Sequence, residues 1–130
     1  MTFDAIGIAG SGMTTDRKWL DAISDNLANI NTATPTSGNA FQERYVVAQA
    51  GPGNGGVSVT GTALGSASGR VVYEPTNPLA DAGGYVRYPD IDLAQQMGDL
   101  IMAQRGYQAN AAVVDRAKEI YQAGIQIGHA

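Results

Sequence analysis

Alternating steps of three and four from Ile6 meet Ile6, Ala9, Met13, Asp16, Leu20, Ile23, Leu27 and Ile30. All but Asp16 are apolar, which is the pattern of a narrow helical seam and not of a strand. Gly7, Gly10 and Gly12 each cost roughly 1 kcal/mol relative to alanine inside a helix, so the helix is expected chiefly over 14–30. Thr32-Ala-Thr-Pro35 stops it, because the residue before a proline is pushed out of the helical region.

The same stepping from Leu93 gives Leu93, Met97, Leu100, Gln104, Tyr107, Ala111, Val114, Lys118, Tyr121, Ile125 and Gly128, with only Gln104, Lys118 and Gly128 outside the apolar set. Asp90 or Asp92, after Pro89, supplies an amino-terminal cap. A helix over 92–127 would run about 54 Å at the α-helical rise, too long for 130 residues to cover as a globule. Between the helices, Arg44–Ala48, Gly56–Thr60, Gly69–Tyr73 and Tyr85–Tyr88 read as short strands joined by glycine- or proline-rich turns.

The predicted fold class is therefore mainly α with a small β insertion. Long N- and C-terminal helices, a coiled-coil-like pair, flank a glycine-rich β-hairpin middle segment. The expected division is 1–32 helical, 33–89 irregular and hairpin, and 90–130 a long helix pairing with the first, all in one domain. The seams have two outlets: they close on each other as an α-hairpin, or they are buried against other chains. Periodicity leaves both open.

Composition narrows the function. The formal charge is −4, and the eight basic residues are scattered without a stripe that could neutralise phosphates, which argues against nucleic acid. Cysteine is absent, removing disulfides, thiol catalysis and thiolate metal sites together. The opening MTFDAIGIAGSG has no basic start and too short an apolar run for a cleaved secretory signal, and no stretch is apolar enough to span a bilayer.

Motifs for chemistry are few. Gly51-Pro-Gly-Asn-Gly-Gly56 fits G-x-G-x-x-G, but a dinucleotide site needs a helix to begin there, and the alternating Val57-Ser-Val-Thr60 follows instead. A hairpin loop is the expectation. His129 is the only histidine, which leaves nothing for a triad or a histidine metal cluster. Asp81, Asp90 and Asp92 lack calcium-loop spacing and read as turn and cap residues. No catalytic, cofactor or metal site is expected.

One stretch stands apart. Asn26-Leu-Ala-Asn-Ile-Asn-Thr32 places three carboxamides at the end of the first seam. Asn31 suits a helix stop in the left-handed conformation. Asn26 and Asn29 share a flank, and they are expected to hydrogen-bond across a helix interface to the Arg105–Asn110 segment of the same or a neighbouring chain.

These residues carry a resemblance. Ser24-Asp-Asn-Leu-Ala-Asn-Ile-Asn-Thr32 and Arg105-Gly-Tyr-Gln-Ala-Asn110 resemble the amino- and carboxy-terminal signatures of the bacterial flagellar axial proteins of rod and hook. Ile8-Ala-Gly-Ser-Gly-Met13, and Tyr73-Glu-Pro-Thr-Asn-Pro-Leu-Ala-Asp81 running into Gly84-Tyr-Val-Arg-Tyr-Pro-Asp-Ile-Asp92, are similar to proximal-rod members. The resemblance covers essentially the whole chain. It departs near Asn77, where histidine is usual, at Asp90 and Asp92, where asparagines are usual, and at Gln96, where an acidic residue is usual.

The resemblance implies a structural subunit of the basal-body rod, the drive shaft that carries torque from motor to hook around the export channel. It implies export through the flagellar type III apparatus without signal cleavage, a place in the periplasmic part of the rod, and no cofactor. The implied partners are itself, FlgB, FlgF, FlgG and FliE. Candidate subunit-interface residues are Leu20, Ile23, Asn26, Leu27, Asn29, Ile30, Leu100, Arg105, Tyr107, Asn110, Val114 and Tyr121. A non-flagellar helical adaptor and a nucleotide-binding enzyme using the glycine loop are the competing readings.

Overall fold

The computed structural model describes residues 2–53 and 55–129, with side chains from Asp4 onward. The elements are α1 (Thr2–Asn29), β1 (Thr34–Pro35), β2 (Arg44–Ala50), β3 (Val57–Leu64), β4 (Arg70–Tyr73), β5 (Tyr85–Tyr88) and α2 (Leu93–Gly128). Two long helices thus flank a small antiparallel β region, as the hydrophobic pattern predicts. The chain divides into two compact units, one of residues 1–20, 47–61 and 100–130, the other of 21–46 and 62–99.

In the second unit, β1, β5 and β4 form an antiparallel sheet in that order, with Thr34 and Val71 on either side of Arg87. The two-residue β1 has no hydrophobic period and was invisible in the sequence. Val86 is fully buried at the sheet's centre, and Ala22, Ile23, Ala40, Pro89 and Ile91 complete this core. Gly69 sits at φ +55, and a Cβ there would fall on the Tyr88 carbonyl oxygen and 2.6 Å from Ala40 Cβ, so only glycine fits. The Asp92 carboxylate accepts from the Gln95 N–H (3.0 Å), choosing Asp92 over Asp90 as the cap of α2.

The end of α1 is built differently from expectation. Among the described residues no non-glycine adopts a positive φ, so Asn31 does not take the left-handed conformation. Asn29 makes the stop instead. Its Nδ2 donates to the Asp25 carbonyl (2.8 Å), its Oδ1 accepts from Thr32 Oγ1 (3.3 Å), and its carbonyl accepts from the Thr32 N–H (3.0 Å).

The loop from Glu74 to Gly84 is closed by Asp81. One carboxylate oxygen accepts from the Gly83 and Tyr85 N–H groups (2.9 and 3.0 Å), and the other accepts from Thr36 Oγ1 (2.8 Å). Glu74 meanwhile receives the Tyr88 hydroxyl and the Asn77 carboxamide. The Tyr85 N–H, then the Thr36 hydroxyl, hold the Asp81 carboxyl below its ordinary 3.8.

In the first unit, α1 is helical through the whole glycine-bearing stretch, not only from Thr14. Ala9, Ala103 and Ala117 are buried, and Ser11 Oγ donates to the Ile8 carbonyl (2.7 Å) while accepting from the Val57 N–H (3.0 Å). β2 and β3 pair as a two-stranded sheet whose turn lies in this unit, and the Gly51 N–H donates to the Gly56 carbonyl (2.8 Å) across that turn. The glycine-rich run is therefore a hairpin loop; its Asn54 lies outside the described residues. Gly56, at φ +72, would drive a Cβ into Ser11 Oγ, so the glycine serves close approach to α1.

Glycine position and the Asp81 loop each carry an expected outcome. Gly69→Ala should lower the stability of the second unit by more than about 2 kcal/mol, while Gly98→Ala, with nothing within 4 Å of its Cβ, should raise helix stability by roughly 0.5–1 kcal/mol; urea midpoints measure both. Because folding lowers the Asp81 pKa, its stabilisation is complete above 3.8 and lost as pH falls through the depressed folded value. Asp81→Asn should therefore be less stable than the parent at pH 7 and show a shallower acid limb in a pH series of those midpoints.

Candidate assembly interface

All eight positions of the first seam, from Ile6 in α1 to Ile30 just past its end, are buried or half-buried, so the first hydrophobic period marks the face that packs within the chain. The second does not. On α2 the best-covered line runs through Gln96, Ala103, Gly106, Asn110 and Ala117, displaced from the predicted one, of which Leu93 and Met97 are exposed and Leu100 is half-buried. This inner face is small and polar for a steric reason. In the first unit a Cβ on Gly106 would lie 3.0 Å from both Asp16 carboxylate oxygens, and one on Gly12 would lie 2.6 Å from Asn110 Nδ2. Asn110 Nδ2 donates to Asp16 Oδ2 (3.1 Å), so the one charged residue in the first seam is met by a carboxamide seated against glycine.

Larger side chains of α2 are left outside. Leu93, Met97, Ile101, Met102, Val113, Ile120, Tyr121, Ile125 and Ile127 are all exposed, and Ile127 is 78 % exposed. From residue 118 to 128 every residue of the helix is exposed. Val113, Ile120 and Ile127 recur at seven-residue spacing, the period that presents one stripe to a partner helix. Beside that stripe lies an open apolar groove of about 470 Å³, lined by Ala5, Ala112, Val113, Ala117 and Ile120 with Arg116 at its edge.

The second unit holds a contrasting set of polar residues. Asn26 is 1 % exposed, Gln96 2 % and Glu43 7 %. Asn26 Oδ1 accepts from the Arg44 N–H (2.8 Å), and its Nδ2 donates to the Arg44 carbonyl and to Gln96 Oε1 (both 3.0 Å). Gln96 Nε2 donates to Glu43 Oε1 (2.6 Å), and the Tyr45 hydroxyl donates to Glu43 Oε2 (2.5 Å). That bond to a carboxylate, with some burial, pushes the Tyr45 hydroxyl up to about 12. Arg44 turns its guanidinium to Asp25 and lies over the Phe41 ring.

The sequence-predicted interface residues thus fall into two groups. Ile23 and Asn26 are buried within the chain, and Leu20, Leu27, Asn29, Ile30, Leu100, Asn110 and Val114 are half-buried. Arg105, Tyr107 and Tyr121 are exposed. Within the second unit Asn26 meets Gln96 and Arg44, and Asn29 bonds its own helix end. Asn110 is brought to Asp16. Glu43 went unremarked, and Asp16 and Gln96 stood out only as the break in the first seam and as a departure from the family pattern, because single polar residues carry no periodic signal that points to a partner.

A long helix with a small-residue inner face and a large-residue outer face defines a subunit made to be covered by other chains. Residues 6–36 match the family described as flagella basal body rod protein, and residues 82–127 match the one described as flagellar basal body rod FlgEFG protein C-terminal. The chain is 38 % identical over 125 residues to the flagellar basal-body rod protein FlgC of Salmonella typhimurium, spanning 93 % of each. It is 31 % identical over 146 residues to that of Borreliella burgdorferi (96 % of each) and 28 % identical over 146 residues to that of Bacillus subtilis (97 % of each). The chain belongs to the flagellar basal-body rod protein family. It is a structural subunit of the rod and assembles with other rod and basal-body proteins.

The close approach at Gly106 gives a direct test. Gly106→Ala should push Asp16 aside and weaken its bond to Asn110, so the roughly 0.5–1 kcal/mol helix gain expected of Gly98→Ala should be absent or reversed; thermal midpoints of the two variants measure the difference.

Proposed function

We propose that the chain is a subunit of the proximal rod, in its periplasmic part, where it helps carry torque from motor to hook and surrounds the export channel. It works without catalysis and without a cofactor. Its neighbours in this reading are further copies of itself, FlgB, FlgF, FlgG and FliE. It reaches the rod through the flagellar type III apparatus with its amino terminus uncut.

The observation that carries the reading is the exposed stripe Val113, Ile120 and Ile127 beside an apolar groove on the same helix. Apolar surface of this kind is unfavourable in water by about 25 cal/mol per Å², and burial against neighbouring subunits removes that cost. Among the interface candidates, Arg105, Tyr107 and Tyr121 are exposed, which supports their part in this reading. The uncovered end of α2 should fray in dilute subunit, since helical stability comes mainly from packing.

The test is complementation of a deletion strain in the native bacterium. The parent chain should restore motility and basal bodies with rods. Ile120→Ser with Ile127→Ser should still be exported but leave motility near the deletion level and rods absent. Circular dichroism should show less helix in dilute subunit than residues 2–29 and 93–128 supply, rising when rod partners are added. Normal rods in the deletion strain itself would refute the assignment.

A further inference from the structure

We propose that Asn26, Gln96 and Glu43 form a hydrogen-bond relay of fixed polarity that permits one seating of β2 against the two helices, and that residues 43 and 96 are an exchangeable carboxylate–amide pair. The relay lies wholly in the second unit and is independent of how the subunit assembles.

The polarity starts at the backbone. The Arg44 N–H needs an acceptor and the Arg44 carbonyl needs a donor, and the Asn26 carboxamide meets both (2.8 and 3.0 Å). Turning that amide over would oppose N–H to N–H and oxygen to oxygen, so its orientation is set by groups that cannot change. Its second Nδ2 hydrogen goes to Gln96 Oε1 (3.0 Å), which fixes the Gln96 amide in turn. Gln96 must then present Nε2, and residue 43 must accept from it (2.6 Å). The relay ends at the hydroxyl of the exposed Tyr45, and a phenolic O–H can turn either to donate or to accept, so the last link is not fixed in direction.

This order makes the three positions unequal toward substitutions of the same size. Glu43→Gln is accommodated, because the new amide accepts through oxygen from Gln96 and donates through nitrogen to the Tyr45 hydroxyl. Gln96→Glu is not, because its second oxygen then opposes Glu43 Oε1 across a separation of a hydrogen bond, in a site closed to water. Adding Glu43→Gln to Gln96→Glu restores every link. The carboxylate then at position 96 accepts from Asn26 through one oxygen and from the amide at position 43 through the other. That amide's own oxygen accepts from the Tyr45 hydroxyl. Asn26→Asp has no such remedy, since its carboxylate opposes the Arg44 carbonyl whatever stands at 43.

Packing alone would give independent, additive effects, whereas the relay gives rescue. The test is amide hydrogen exchange at Arg44 in the full-length chain, for the parent, E43Q, Q96E, E43Q/Q96E, N26D and N26D/E43Q. Protection at Arg44 should change less than about threefold in E43Q, fall at least about tenfold in Q96E, and return to within about threefold of the parent in E43Q/Q96E. N26D should lose protection and stay low with E43Q. A double variant no better than Q96E alone, a Q96E variant as protected as the parent, or an unprotected Arg44 amide in the parent would each overturn the relay. Gln96→Met separates polarity from volume: it should lower protection without being improved by E43Q, and improvement by E43Q would count against the mechanism.

Discussion

Two helices of 28 and 36 residues leave a chain of 130 with too little material to enclose them, and how α1 and α2 meet decides what is left outside. In the first unit Gly12 and Asp16 of α1 meet Asn110 and Gly106 of α2, and Ala103 and Ala117 are buried along the same face of α2. Small faces allow the backbones to come close, so each helix covers a narrow strip of its neighbour. Bulky apolar side chains that would have widened the strip are displaced outward. The exposed isoleucines of α2 are among the large residues that this narrow strip leaves uncovered, and apolar surface of that kind is favourably buried against other chains.

Polar groups in the same interfaces work against stability in the ordinary sense. Asp16 and Asn110 carry a desolvation cost that apolar side chains would not, and Asn26, Gln96 and Glu43 do so more deeply. What they add is discrimination: an amide or a carboxylate tolerates fewer placements of its neighbour than a methyl group does. A subunit that must repeat identically along a shaft has a use for such discrimination, because a one-residue slip in one copy would misplace every contact built on it.

How much of this could be read from the sequence depended on what marked each face. α1 was legible because its inner face is made of large apolar residues, and Ile6, Leu20, Ile23, Leu27 and Ile30 all turn inward. On α2 the same reasoning fails: its strongest hydrophobic line begins at Leu93 and Met97, which lie outside, and its inner line of alanine, glycine, asparagine and glutamine has almost no hydropathy contrast. Strands β2 to β5 were visible from β-branched and aromatic runs between glycines, whereas β1, two residues including a proline, had no pattern to show. The family signatures were legible as motifs, but their partners were not. Asn26 stood out as a carboxamide expected to bond across a helix interface to the Arg105–Asn110 segment, and nothing in the order of residues pointed to Gln96, seventy positions away.

Glycine links these observations. In a helix it is usually a weakness, and the run Gly7, Gly10, Gly12 suggested a late helix start. The structure gives different work to different members of that run. Gly12 makes room for Asn110, while Gly7 and Gly10 would meet nothing within 4 Å of an added methyl group and are surplus to packing within the chain. The same division appears on α2, where Gly106 is held against Asp16 while Gly98, Gly124 and Gly128 face open space. Gly128, the last residue of α2, suits a helix end, whereas a glycine inside a helix costs roughly 1 kcal/mol, so Gly7, Gly10, Gly98 and Gly124 are unexplained by the subunit alone. They become intelligible if a neighbouring helix in the rod approaches there as closely as α1 approaches Gly106, which makes the open glycines, together with the exposed isoleucines, the surface on which packing between subunits should be sought.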